Sequence, residues 1–393
     1  NRIDILNKSK NKKIVFWGSG EWVEKSIKLL NIKPEYIIDI NKNIQGHKLR
    51  DIEIIPFEKI SNIINDYYIV ITTGSYHGLV ENLVSKGLEI GKDFCYSPSL
   101  YNLSIRDEIL GIEQNLLFSV PASGTENGGL YIYKTKDRSY TKIYDGKSRA
   151  LCKTNSYIAL ADEEKGLVLF DKKLNLIKEI ELLNNSVPHG ITLSEKLNKI
   201  YVANSGRDSI SIFDLSSYKH IEEIKLNDKY DRLKEEQHHI NDLYVDEINE
   251  TLFVSMFSFT GNWRKNIYDG GVLEYDLRSK KFTGPIISDM WMPHSIQMVD
   301  NKVMFVDSMR GDLYKTSNKI IGKFNGFIRG FDYDNKYLYI AQSSQRYFDR
   351  LQDISLNIPL DCGIYIFDEQ TKASVFHSLP EFENIHSVIV LDK

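Results

Sequence analysis

One pattern recurs five times in the second part of the chain. A His or Arg followed by a small residue opens a strand. A turn follows, then a strand of type I-Y-V-A, a polar loop, a strand of type S-I-F-D and an amphipathic strand. Arg149-Ala-Leu-Cys leads to Tyr157-Ile-Ala-Leu and Leu167-Val-Leu-Phe-Asp171. His189-Gly-Ile-Thr leads to Ile200-Tyr-Val-Ala and Ile210-Ser-Ile-Phe-Asp214. Asn241-Asp-Leu-Tyr is the variant opening of the next unit, which continues through Leu252-Phe-Val-Ser and Gly271-Val-Leu-Glu-Tyr-Asp276. His294-Ser-Ile-Gln and Arg329-Gly-Phe-Asp open the last two. Units of roughly 35 to 57 residues fit a four-stranded propeller blade. Remnants complete a sixth unit: His386–Asp392 at one end, and Asn115–Val120, Gly129–Tyr133 and Tyr140–Tyr144 at the other. Pairing them closes the ring and removes the open sheet edges that invite aggregation.

The first hundred residues have a different period. Lys13–Gly18 reads as a buried strand, Glu21–Leu30 as a helix, Tyr36–Asp39 and Tyr68–Thr72 as strands, and His77–Lys86 as a helix. Strands alternating with helices imply a parallel sheet. The fold class expected is therefore α/β plus all-β. A small Rossmann-like domain (1–100) and a linker (101–114) precede a six-bladed β-propeller (115–393). The first turn is G-x-G-x-x-V, with Gly18, Gly20 and Asp39 placed as a nucleotide site would place them. A tight strand-to-helix turn also needs glycine for steric reasons alone. On V-F-W-G-S-G-E, I-I-D-I-N and G-K-D-F, this segment resembles the small Rossmann-like domains attached to bacterial polysaccharide-modifying enzymes and methyltransferases. The resemblance implies a sugar-nucleotide or cofactor site, and a fused or partner enzyme in polysaccharide biosynthesis.

In a propeller the first strand of each blade lines the axis. The opening position, read around the ring, gives His386, Arg149, His189, Asn241, His294 and Arg329. Histidines thus occupy alternate blades. His189, His294 and His386 would make a three-imidazole site for a divalent metal, with zinc the usual occupant and iron an alternative. Arg149 and Arg329 suit a carboxylate or phosphate, and Asn241 can donate or accept a hydrogen bond. His238 and His239 could join the mouth or support the ligands. Two other readings stay open: histidines that bond a neighbouring blade or channel water, and an anion site without metal. The long loops Phe257–Asp269 and Ser343–Cys362 and the connection Asn227–His239 fall on the same face. Shorter loops add Glu126, Asn127, Asn204, Arg207, Asp307 and Arg310. Asp307, Glu126 and Asp242 are the general-base candidates.

The propeller resembles an uncharacterised family of bacterial six-bladed propeller proteins. The resemblance rests on S-G-T-E-N-G-G-L-Y (123–131), H-H-I-N-D-L (238–243), M-P-H-S (292–295), G-F-I-R-G-F-D (326–332) and I-A-Q-S-S (340–344). That family's second motif looks like H-D-I-H-D, so Asn241 stands here in place of a histidine. More distantly, the arrangement is similar to peptidyl-hydroxyglycine amidating lyase and virginiamycin B lyase, which implies axial histidines with a metal.

The net charge of −4 over 393 residues leaves no basic excess for nucleic acid, and no apolar run is long enough to span a bilayer. Cys95, Cys152 and Cys362 form neither a disulfide framework nor a zinc signature. These absences place the protein in the cytoplasm by expectation. The chain opens on Asn1 rather than Met, which leaves room for an upstream segment. The function expected is a metal-dependent lyase, hydrolase or isomerase acting on an anionic small molecule, a sugar derivative or phosphorylated metabolite. The rivals are a non-catalytic propeller that binds a saccharide or protein, and a cofactor enzyme centred on the Rossmann-like domain.

Overall fold

The computed structural model describes residues 2–9, 11–122, 128–316, 319–351 and 357–391. They form two compact units, Asn1–Leu110 and Gly111–Lys393. The first is a six-stranded sheet in the order Lys48–Leu49, Ile52–Ile55, Tyr36–Ile38, Lys13–Trp17, Tyr67–Ile71, Phe94–Tyr96. All pairs are parallel except the first, a hairpin. Val15, Trp17, Ile69 and Ile71 pack on one face, and Phe16, Tyr68 and Val70 on the other. Both faces are covered, so the central strands are apolar throughout. Helices Arg2–Lys8, Glu21–Leu30, His77–Ser85 and Tyr101–Leu110 complete the unit. No helix among the described residues is long and apolar enough to cross a membrane.

The second unit is a six-bladed propeller, each blade a four-stranded antiparallel meander. Blade 1 takes its inner strand from the C-terminal end: Ser387–Val390 pairs with Asn115–Val120, which pairs with Gly129–Lys134 and then Ser139–Asp145. The inner strands of blades 2 to 6 are Ser148–Lys153, Pro188–Ser194, Ile240–Asp246, Pro293–Val299 and Phe327–Tyr333. The recurrent Asp that ends the third strand has a local cause. Asp171, Asp214, Asp276 and Asp368 each accept backbone N–H groups from the turn that follows, the usual chemistry of a turn-forming aspartate.

Neighbouring blades are tied near the axis. An acceptor side chain on one inner strand takes a backbone N–H of the next. Thr192 takes Val245 at 3.3 Å, Asp242 takes Ile296 at 3.0 Å, Ser295 takes Phe331 at 3.3 Å and Asp332 takes Val390 at 2.8 Å. The small residue after the axial position follows from the same crowding. A Cβ on Gly190 would lie 2.6 Å from Asp242 Cα, and one on Gly330 would lie 2.5 Å from Ser387 Cα. Asp242, one of the general-base candidates, is therefore a clamp between blades 4 and 5. What surface it retains faces the axial cavity.

Burial pushes the Asp242 carboxyl up to about 7, against the pull of its backbone donors. A group held above its ordinary value binds its proton more tightly in the folded state. Its stabilising contribution is complete below about pH 3.8 and is lost as pH rises through about 7. Asp242→Asn keeps an acceptor for Ile296, so it should preserve the fold and flatten this part of the pH–stability curve. Asp242→Ala strands a buried N–H and should cost about 1–3 kcal/mol in urea denaturation.

Candidate functional site

The axial residues share a backbone feature. Five inner strands break register with their neighbour at or beside this position: between Ser148 and Leu151, Pro188 and Ile191, Ile240 and Leu243, His294 and Ile296, and Ile328 and Phe331. A β-bulge leaves residues unpaired and re-aims the side chain. Arg149, His189, Asn241, His294 and Arg329 sit at these bulges. His386 immediately precedes the inner strand of blade 1, with its N–H on Ser119 O at 2.9 Å. All are buried except Arg149, which is half-buried.

The three histidines converge. The His386 ring lies 6.0 Å from that of His189 and 6.1 Å from that of His294, centre to centre. His294 Nδ1 stands 2.9 Å from Met292 O and 2.7 Å from Ser308 Oγ. His189 Nδ1 stands 3.3 Å from Val187 O and 2.8 Å from Ser205 Oγ. A carbonyl oxygen only accepts, so these contacts put the proton on Nδ1 and leave the Nε2 lone pair free. Both ring nitrogens of His386 and both amide atoms of Asn241 are buried without a partner. Burial holds all three imidazoles well below their usual pKa. Arg149 adds to this at His189, Arg329 at His294, and both arginines at His386. The histidines are neutral at neutral pH.

The two arginines differ. Arg149 is paired with Glu163. Arg329 is 4% exposed, lies over the Phe327 ring at 5.1 Å, and leaves Nε and Nη1 without partners. Among the described residues it has no carboxylate. Burial and the neighbouring Arg346 work against its charge, yet a guanidinium stays protonated in proteins. An uncompensated buried cation is among the most costly groups a fold can hold.

Two different surroundings meet at the ring. A cavity of about 830 Å³ is lined at one end by Asn241, His294 and His386, and at the other by the turns that leave the inner strands. Elsewhere an apolar cluster abuts the same histidines. Phe257, Met292, Met309 and Phe327 are buried in it, with Trp263 and Tyr347 packed against them, and Phe257 and Phe327 lie 5.4 and 5.7 Å from the His294 ring. His239 joins here. Its ring is 4.7 Å from His189, stacks on Phe257 at 4.1 Å, and bonds Glu236 through Nδ1. Arg264 holds the other Glu236 oxygen at 3.1 Å.

Other expected site residues have structural partners. Asp307, pushed by burial up to about 7, accepts the Trp291 N–H at 2.9 Å and contacts Arg310. Asn204 donates to Ser211 and Arg207 pairs with Glu223. His238 bridges Asn227 and Ser258 O. Glu126 and Asn127 lie outside the described residues. In the first unit, Asp39 accepts from Ser19 N at 2.9 Å, Ser19 Oγ at 2.6 Å and Asn41 N at 2.9 Å. Partial burial opposes its charge, but these bonds outweigh it and hold the carboxyl below its usual range. Asp39 thus ties the turn to the second strand. Gly18 has φ +114°, and a Cβ there would meet Thr73 at 2.6 Å. Val23 is fully buried in the core.

Sequence reasoning passed over Ser205, Ser308 and Glu236. The first two had a signal: N-S-G-R (204–207) and D-S-M-R (307–310) are the same turn in blades 3 and 5, each placing its serine on the axial histidine. Glu236 had none, because its role depends on a loop connection.

A sequence family described as a domain of unknown function, DUF4915, matches residues 189–393, just over half the chain. The chain belongs to this family. The DUF4915 match begins at the His189 bulge and takes in every axial residue except Arg149. No curated protein matches the chain. Among solved structures, a chain of a nidogen–laminin complex aligns at 11% identity over 71% of this chain and 98% of that one, with a TM-score of 0.52. A protein of unknown function from Bacteroides caccae aligns at 11% identity over 71% and 100%, with a TM-score of 0.51. Such likenesses establish the propeller and nothing of its activity.

A structural ring and a ligand site respond oppositely to apolar substitution. Asn241→Leu and Arg329→Met remove polar groups that have no partner among the described residues. Each should leave stability unchanged or raise it by about 1 kcal/mol or more in urea denaturation. Loss of several kcal/mol would mark the ring as structural.

Proposed function

We propose that the axial ring and its cavity form the active site of an enzyme acting on an anionic small molecule. One observation carries this reading: among the described residues Arg329 is buried with no carboxylate to balance it, and two further buried axial side chains, Asn241 and His386, have polar atoms without a partner. A negatively charged ligand supplies what all three lack. Arg329 would stabilise the charged group through its field, with Arg149 adding to that field despite its pairing with Glu163. Asn241 would fix orientation through one donor and one acceptor. Neutral imidazoles at neutral pH can accept a proton, and a lyase, hydrolase or isomerase requires such a group. His239, oriented through Nδ1 by Glu236, has the arrangement in which a carboxylate directs an imidazole toward its task.

A second reading is favoured by the tautomers. With Nδ1 of His189 and His294 bonded and both nitrogens of His386 free, the three rings offer neutral donors of the kind a zinc or iron ion takes. Among the described residues no three donor side chains stand close enough to hold an ion as they are, so binding would require the rings to close in. A metal there would polarise a carbonyl or phosphoryl oxygen of the substrate.

Thermal unfolding with a panel of small carboxylates and phosphates tests the first reading. A ligand at a hundred times its Kd should stabilise the wild type by about 2.7 kcal/mol, and Arg329→Met should abolish the effect. A panel that stabilises both proteins equally would contradict it. Elemental analysis of metal-supplemented protein tests the second. Near-stoichiometric metal, lost in His189→Ala and His294→Ala, is expected if the imidazoles are ligands; metal-free wild type would eliminate that reading.

A further inference from the structure

The two surroundings of the ring indicate how a ligand reaches it. Large apolar side chains stand against His294, and the two aromatic ones belong to a buried cluster: Phe257 and Phe327 are 3% and 2% exposed. These residues belong to or adjoin the long loops, where the sequence placed a mouth. The cavity, in contrast, ends on Asn241, His294 and His386, with the unpartnered side-chain atoms of Asn241 and His386 closed off just behind its inner end. Those two residues are 1% and 6% exposed.

The chamber also constrains what it can hold. Its 830 Å³ is several times what a bare phosphate or carboxylate occupies and falls within the usual range for an organic ligand. Away from the ring the lining mixes apolar side chains, Leu151, Ile191, Leu243 and Met298 among them, with the polar Thr154, Asn155, Gln297 and Asn301 and one aromatic ring, Tyr244. The outer end carries Glu195, Asp246, Glu247 and Asp300 against one base, Lys153. Of these, Asp300 is drawn to Lys315 at 3.7 Å and Glu195 accepts from Ser156, so the rim is moderated and still acidic. Positive charge is concentrated at the ring end, where Arg329 and Arg149 both act on His386. A second anionic group would be repelled at the outer end.

We propose that the ligand reaches the ring along the propeller axis from the face of the inner-strand turns, and that it is a singly charged acid with an uncharged, hydroxyl-rich body. That is the chemistry of a uronic or aldonic acid. The acid group lies at Asn241 and His386, within the field of Arg329, and the hydroxyls line the chamber. Phe257 and Phe327 then back the ring on its other side rather than admit the substrate. This inference rests on the ring being a ligand site.

The test uses the full chain and isothermal titration with D-glucuronate, D-glucose and citrate. Glucuronate should bind, with glucose and citrate weaker by about tenfold or more. In a Cys152→Ser background, Gln297→Cys places a thiol in the chamber wall, and Ile267→Cys places one on the exposed long loop. Each variant is titrated before and after labelling with a bulky maleimide. Labelling at 297 should abolish glucuronate binding, and labelling at 267 should leave it intact. The reverse pattern would overturn the route. Citrate binding as well as glucuronate, or no glucuronate binding at millimolar concentration, would overturn the ligand class. Glucuronate affinity unchanged in both Asn241→Leu and Arg329→Met would instead defeat the reading of the ring as a ligand site, so the two failures are distinguishable.

Discussion

Everything at the axis depends on one strand pairing. Ser387–Val390 lies antiparallel to Leu116–Ser119, joining residues more than 260 apart in the chain. Bringing such distant segments together carries a loop-closure cost that grows only slowly with length, and it completes the last sheet. The pairing does three things at once. It protects the edge of blade 1, it offers the Val390 N–H to Asp332 across the blade 6 interface, and it delivers His386 to the axis beside His189 and His294. Without closure the alternation of histidines around the ring has only two members.

Closure crowds six inner strands around an axis, and the chain meets that crowding in two ways. Small residues after the axial position let the backbones approach, as at Gly190 and Gly330. Acceptors one to three residues past the axial position on four of the inner strands bind the next blade. The clamp residues are satisfied, while the axial Asn241, Arg329 and His386 keep buried polar atoms without a partner among the described residues. The contrast between Asp242 and Asn241 is instructive because the two are adjacent. Asp242 accepts Ile296 N–H, and Asn241 bonds nothing. A fold that pairs one so well has the means to pair the other. Leaving Asn241, His386 and Arg329 unsatisfied costs stability, and such costs concentrate where a ligand completes the set.

The propeller was legible because its signal is periodic. Strands of alternating pattern, an Asp at the end of four of the third strands and one polar residue at each blade opening repeat often enough to be read without a structure. The closing strand was legible because His386-Ser-Val-Ile resembles the other openings. In the first unit the helix Glu21–Leu30 and its flanking strands were equally plain, whereas the hairpin Lys48–Ile55 and the edge strand Phe94–Tyr96 were too short to carry a pattern. What sequence could not supply was bonding. Asp39 and Gly18 have the spacing of a nucleotide site, and in the structure one ties a turn and the other fits against Thr73. Nothing in sequence shows that the general-base candidates Asp307 and Asp242 accept the backbone N–H groups of Trp291 and Ile296. The bulges are invisible because a register break depends on the partner strand, and Glu236 reaches His239 only through the fold.

The central claim is that Asn241, His386 and Arg329 are kept unpartnered by the protein for a ligand. A crystal structure of the full chain determined in the presence of D-glucuronate tests it most directly. The account predicts density at the inner end of the axial cavity, bonded to Asn241 and His386, with the Arg329 side chain still buried beside them. An axis in which these side chains turn to bond protein groups, with nothing bound between them, would contradict it.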